Sequence, residues 1–515
     1  MRPEAELLDI VADIRTGISE HRAWRSGPER VHDLLRTATK LRAMEIARRE
    51  HSGVPWESVL AQIITWHHEF PTGGDTCTEA DALDVVLAAI TSQRLDLLEV
   101  GVGTGAYRVR RTGENFRLLH CWDPSVEVAD MFLERRAAPS GLPDLSDVEQ
   151  QWITTRPVGS RGSPPKEVLQ AATERATAAI QAYRLAIPEG QVPDSFPLGD
   201  GMTAGDMISV LAVVMGIASL AEETARRLSR LETTLVHMSM SRLAEILAEM
   251  CPAISEEHRA LAVERLTYQI GRSCRTSPLV PHGDTVIICP PLVTPRAVDP
   301  IMLRSAAHDS KAFGAIGLRQ GGRASAWADW LRTTPGVLVA ERVPVVRGDG
   351  RSAGDLDVVV VDPEQHVGLC LEIKWPIEAL TLTEVNKVET WVTSASHQLD
   401  RVRGELRSGE AEARFPRDWP AFESLDWTWC VGTPQQLCLR PVPVPNMFST
   451  SLRYVHALGS PPGLNALVGV LRNPDLPVRG VHFRVGRKSL SLGRHLVHME
   501  VIGIDASTQW RPRFV

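Results

Sequence analysis

Apolar positions recur at spacings of three and four through roughly the first ninety residues, in PEAELLDIVADI, RVHDLLRTATKLRAMEIARRE and WESVLAQIITW, with Gly and Pro breaks between them. That pattern predicts a helical N-terminal region. From Leu95 to Asp123 it shortens to strand-like runs, DLLEVGV, AYRVRR and FRLLHCW, separated by Gly-rich turns, which predicts a small β-meander. GSRGSPP at 159–165 reads as a linker, and from Lys166 to Ile270 long helical segments return, among them KEVLQAATERATAAIQAYRLA and TARRLSRLETTLVHMSMSRLAEILAEM. Beyond the turn-rich TSPLVPHGD, the strand-like TVIICPPLV opens a stretch in which helix and strand alternate to about Ala457, the signature of an α/β sheet. Three regions follow: residues 1–160, helical with a small β-meander; 161–278, a helical middle domain; and 279–515, an α/β domain with a β-rich C-terminal extension.

One hairpin stands out. In GDLDVVVVD, period-two alternation sends Leu356, Val358 and Val360 one way and Asp355, Asp357, Val359 and Val361 the other. After a short turn at Pro363 to His366, HVGLCLEIKW puts Leu369, Leu371 and Ile373 on one face and Cys370, Glu372 and Lys374 on the other. Pairing the two strands with matching faces brings Asp357, Glu372 and Lys374 together. The next apolar stripe, Val385, Val388, Val392, Ala395, Leu399, Val402 and Leu406, is helical, with Lys387, Trp391 and Gln398 along one edge.

Composition adds bounds. A chain of 515 residues is long enough for about three cores, and 56 basic against 63 acidic side chains give a net charge of -7. No global attraction for nucleic acid follows, so any such binding requires a local patch. The eight cysteines are scattered and read as reduced core residues of a cytoplasmic protein. The start, MRPEAELLDIVADIR, lacks the apolar run of a signal peptide. Met207 to Leu220, the most apolar segment, is bounded by charges and shorter than the ~20 residues of a membrane span, so a buried helix and no membrane association are expected.

Two carboxylates and a lysine on one face suit a hard cation. Mg²⁺ (or Mn²⁺) takes carboxylate oxygens and keeps several waters, one of which can become an attacking hydroxide. Asp357 and Glu372 are the expected ligands, with the carbonyl of Ile373; Lys374 would lower the pKa of the attacking water or stabilise the transition state. GDLDVVVVD followed by LCLEIKW resembles the core hairpin of the PD-(D/E)xK nuclease superfamily, over roughly Leu318 to Gly432. The resemblance implies a restriction endonuclease-like mixed sheet in αβββαβ order, for which RASAWADWLR, VLVAERVPVV, the two hairpin strands, LTEVNKVETWVTSASHQLDRVRGEL and DWTWCVG are candidates in that order. It also implies that Gln398 points at the active site. Some relatives add a helical Glu before the first strand, where this chain offers only Asp329. The expected activity is Mg²⁺-dependent hydrolysis of nucleic acid, DNA rather than RNA, suited to restriction, repair or defence against foreign DNA, with room for a homo-oligomer or a regulatory protein partner.

Other motifs compete. LLEVGVGTG at 97–105 is similar to the first motif of S-adenosylmethionine-dependent methyltransferases, and Asp123 in HCWDPS sits where a ribose ligand would fall. That motif needs a helix after the glycines, whereas AYRVRRTGENFRLLHCW alternates as a hairpin. A non-catalytic scaffold that keeps the nuclease fold is the third reading. CPPL at 289–292 reads as a turn ending a strand, and His67 and His68, adjacent on a helix, as surface or partly buried residues without a spaced partner. Arg484, Arg487 and Lys488 lead a basic C-terminal stretch that could contact phosphates, as could Lys387.

Overall fold

The computed structural model describes residues 2–47, 54–70, 73–137, 142–155, 164–227, 235–293, 298–308, 316–317, 325–377, 379, 381–435, 437–505 and 507–514. Most of the expected linker, residues 159–163, lies outside them. The chain is mixed α/β and divides into two compact units, residues 1–99 with 138–316 and residues 100–137 with 317–515. This cuts across the three consecutive regions expected: 279–316 joins the helical unit, and the β-meander joins the C-terminal one.

The first unit is built from the helices the periodicity announced, Pro3–Ser19, Arg30–Ala47, Trp56–Glu69, Lys166–Ala186 and Ala204–Arg227 among them. Leu34, Leu60, Ile63 and Val86 share one core with Tyr268, Val280 and Ile287. Ala204–Arg227 is long and apolar enough to cross a membrane by composition, yet most of it is buried in the protein. Two sequence expectations fail here. Val236–Ser239, expected within a helix, is a strand, because it pairs with Thr285–Ile288, which pairs in turn with Leu279–His282. DLLEVGV, expected as a strand, continues the helix Glu79–Gly103. Its buried residues Leu95, Leu98 and Val102 fall at helical spacing, a pattern that a short apolar run conceals.

In the second unit, β1 (Tyr107–Thr112), β2 (Asn115–His120) and α1 (Pro124–Ala137) precede the main sheet. Then come α2 (Ser325–Leu331), β3 (Leu338–Arg347), β4 (Ser352–Asp362), β5 (Val367–Ile373), α3 (Leu382–Ser408), the short β6 (Ala411–Ala413) and β7 (Asp426–Thr433). β8 (Met447–Ser451), α4 (Leu452–Leu458), α5 (Leu464–Arg472), β9 (Arg484–Leu492) and β10 (His495–Gly503) complete it. Six strands form a mixed sheet in the order β6-β3-β4-β5-β7-β8; β3, β4 and β5 are successively antiparallel, and β5, β7 and β8 run parallel. The four others form a second sheet, β1-β2-β10-β9.

β5 is buried along its whole length, as a central strand covered on both faces must be. One face packs Val358, Val360, Leu369 and Leu371 against Trp327 of α2 and Val455 and Leu467 of α4 and α5. The other packs Val359, Val361, Cys370 and Val431 against Val392, Ala395, Leu399 and Val402 of α3, the stripe read from the sequence. α3 begins with a capping box between Thr381 and Glu384 and ends at Gly409, whose φ of 73° suits glycine. α1 joins the two sheets: Ala129 and Leu133 enter the core beside Trp327, while Val128 and Phe132 pack on Phe483, Val485 and Ile502.

Candidate active site

The β4–β5 ladder runs from Val367↔Asp362 to Leu371↔Val358 and stops there. On the other side of β4, the pairing with β3 passes from Glu341↔Val358 to Val343↔Leu356, skipping Arg342, which adopts φ 52°. A non-glycine residue at positive φ interrupts the pleat and is costly, so it persists only where the surroundings impose it. The strict alternation expected along β4 is therefore corrected: Leu356 packs with Val359 and Val361 on the α3 face, whereas Val358 and Val360 pack on the opposite one. β5 keeps its alternation, with Leu369, Leu371 and Ile373 on one side and Cys370 on the other.

The break frees Asp357 from the ladder. Its Oδ2 accepts the Ile373 N–H at 2.6 Å. Lys374, one residue past β5, donates its backbone N–H to the Gly432 carbonyl of β7 at 2.9 Å, and its Nζ to Glu372 Oε1 at 2.7 Å. The Glu372 side chain is 5 % exposed and that of Lys374 32 %, so the carboxylate lies inside and the ammonium reaches outward. The three residues that the sequence joined by facing are thus joined through Ile373, whose amide holds Asp357 while its neighbours carry the ion pair.

Electrostatics make this group unusual. Burial pushes the Asp357 carboxyl above its ordinary range, with the Ile373 N–H and Lys374 pulling it down, Asp355 pushing it up and Arg342 again lowering it. Burial, and then the charge of Asp357, push Glu372 up to about 7, against the pull of Lys374. Two carboxylates crowded into a part-dry site are the arrangement a cation relieves. Among the described residues no three His, Cys, Asp or Glu side chains gather as a metal-holding group. The side-chain donors on offer are the carboxylates of Asp357 and Glu372, and a pair of carboxylates suits Mg²⁺, an ion commonly held by one or two of them while keeping its waters.

The other expected residues fall elsewhere. Gln398 is exposed on α3, and among the described residues no hydrogen bond links it to Asp357, Glu372 or Lys374. Lys387 is likewise exposed on α3. Asp329 of α2 pairs with Arg332 at 2.6 Å and is 71 % exposed, so it is spent on its own helix. Asp355 and Arg342 join the site electrostatically; Arg342 had no cue in the sequence, since a left-handed residue inside an apolar strand has no local signature. A cavity of about 160 Å³ between α3 and residues 438–442, lined by Glu389, Cys438 and Arg440, includes none of the expected site residues.

The rival motif loses its geometry. Gly101 and Gly103 lie in a helix, and the chain goes on through Gly105, at φ 70°, into β1, so helix, turn and strand replace strand, turn and helix. A side chain at Gly101 would run into the Tyr107 ring, which accounts for that glycine by packing. Asp123 opens α1, its carboxylate accepting the Ser125 N–H at 2.9 Å. CPPL forms a one-turn 3-10 helix after its strand. His67 and His68 are part-buried with ring centroids 4.9 Å apart, and Arg30 donates to His67 Nδ1 at 3.3 Å. All eight cysteines are free, and Cys121 alone is exposed.

Comparison with family models, curated proteins and solved structures finds no match for this chain.

Proposed function

We propose that the second unit is a Mg²⁺-dependent phosphodiesterase of the restriction endonuclease-like kind, hydrolysing nucleic acid, with DNA as the preferred substrate. The observation that carries this reading is the Asp357 carboxylate seated on the Ile373 N–H beside the Glu372–Lys374 ion pair, where the β4–β5 ladder opens. The succession α2, β3, β4, β5, α3, β7, with β7 parallel to β5, supports the same reading.

Asp357, Glu372 and the Ile373 carbonyl are the groups to hold the ion. When bound, Mg²⁺ supplies Lewis-acid charge and makes water more acidic. The chain's own residues do the rest. The Ile373 N–H fixes the Asp357 carboxylate in one orientation, which preorganises the donor set. Lys374 pairs with Glu372 in the structure; with that carboxylate on the ion, its ammonium would be free to meet the phosphate. There its ammonium offsets the negative charge that builds on the non-bridging oxygens as water adds and the ester oxygen leaves.

The test is incubation of the purified protein with labelled DNA and RNA, with Mg²⁺ or Mn²⁺, beside Asp357→Asn and Lys374→Ala. Wild type is expected to cleave DNA, and each variant to be slower by about 100-fold or more. Absence of cleavage by wild type on every substrate, or variants as fast as wild type, overturns the proposal.

A further inference from the structure

We infer that one face of the four-stranded sheet β1-β2-β10-β9 is a docking surface for the backbone of duplex DNA. The choice of DNA rests on the nuclease reading above; the surface stands on its own geometry. The two hairpins, 107–120 and 484–503, carry eight Arg and Lys against two Glu, within a chain of net charge -7. They lie far apart in sequence, and parallel pairing of β10 with β2 brings them edge to edge.

Register sorts the charges by face. Arg110 pairs with Arg117, Arg117 with His498, and His498 with Ser489, so these four stand in one row across the four strands. Beside that row, on the same face, lie Arg108 and Arg487. Arg484 and Lys488 fall on the opposite face, which carries the buried Phe116, Leu118, Leu490 and Val497. Of the three basic residues expected from the C-terminal stretch, only Arg487 belongs to this surface, and the residues that complete it come from the other hairpin.

The charges are available. Arg108, Arg110 and Arg487 are exposed, and among the described residues none forms an ion pair. Arg117 lies 3.7 Å from Glu500, the one acid on the face, and its Nε is buried without a hydrogen-bond partner. Ser489 Oγ and His498 Nδ1 are 2.8 Å apart, which fixes the ring. α1 packs at one end of the face, on Val485 and Ile502.

Shape selects the occupant. Four strands about 4.8 Å apart span about 14 Å, close to the roughly 12 Å that separates the phosphate-lined edges of a major groove. Along the four strands themselves, none of the residues on this face is Phe, Tyr or Trp. Single-strand binders place aromatic rings under the bases, so a flat basic face without rings suits a duplex backbone.

The experiment measures binding of a labelled duplex DNA by the full chain in EDTA, over a salt series. It compares wild type with the triple variant Arg108→Gln, Arg110→Gln, Arg487→Gln. A charge-matched control is Arg22→Gln, Arg36→Gln, Arg226→Gln, three exposed arginines of the other unit. The expected result is a triple variant that binds at least about tenfold more weakly at ~0.1 M salt, with the log–log salt slope shallower by about 2 to 3. The control binds as wild type does. A triple variant with unchanged affinity and slope overturns the inference. So does tighter binding of single strands or of duplex RNA, or competition by polyglutamate as strong as by DNA. Because binding is read in EDTA and cleavage separately with Mg²⁺ or Mn²⁺, a chain that binds through this face but cleaves nothing in the metal-containing assay sinks the nuclease reading alone. A chain that cleaves, but whose triple variant binds undiminished, sinks the docking surface alone.

Discussion

Asp130 of α1 shows how a single side chain can carry a pH response. Its two carboxylate oxygens accept the Leu437 N–H at 3.2 and 3.1 Å. Burial pushes its carboxyl up to about 8, against the pull of that N–H and of Arg453 and with a further push from Glu134 and Glu127. In the unfolded chain the same group titrates near 3.9. The folded value is the higher one, so the stability gained by keeping the group neutral is full below about pH 4 and is lost as pH rises through about 8. Asp130→Asn keeps an acceptor for Leu437 and cannot ionise. Its thermal stability relative to wild type should therefore improve steadily from about pH 4 to about pH 8 and level off above; a difference flat across that range speaks against burial as the cause. At this scale the sequence was informative where residue type and spacing coincide, as for Asp357, Glu372 and Lys374. It was silent on Asp130 and Arg342, whose roles come from what a distant segment places against them.

Among elements, β5 and β7 show what the sheet demands of its glycines. Gly368 lies in β5 opposite Trp427 of β7, and a Cβ at Gly368 would fall within the Trp427 ring. The ring has little room to yield: its Nε1 donates to the Phe422 carbonyl at 2.7 Å, and its centroid lies 4.8 Å from that of Phe422. Gly368→Ala should cost about 1 to 3 kcal/mol by overpacking. Urea unfolding monitored by Trp fluorescence reads that loss, and an unchanged midpoint would contradict the packing account. Long periodic helices such as α3 were legible from end to end, because an apolar stripe, a capping box and a C-terminal glycine all agree there. Val236–Ser239 is a strand and DLLEVGV is helical, against expectation, since a segment of four to seven residues satisfies either period and only its neighbours decide. The gap in the β3–β4 pairing at Arg342 and Asp357 belongs to the same class, since no local period marks it.

Across the whole molecule, the most consequential fact is that the C-terminal unit is discontinuous, taking residues 100–137 from the N-terminal third of the chain. Expressed alone, residues 317–515 would lack Ala129 and Leu133 from the core beside Trp327, and would leave the β10 edge without β2. An open, partly apolar edge invites association. The fragment should aggregate or unfold without a cooperative transition, as gel filtration and thermal circular dichroism would report; a monomeric, cooperatively folding 317–515 would refute the division. By itself the sequence determined the helical character of the first unit, the β4–β5 hairpin with Asp357, Glu372 and Lys374, and the helix that covers it. Each is a local pattern in which side-chain period and backbone period coincide over neighbouring residues. Tertiary structure alone decided which segments share a unit, the break that seats Asp357 on the Ile373 amide, the exposure of Gln398, and the pairing that sets Arg110 and Arg117 beside His498. Those outcomes depend on burial and on pairing between segments hundreds of residues apart, and no local period encodes them.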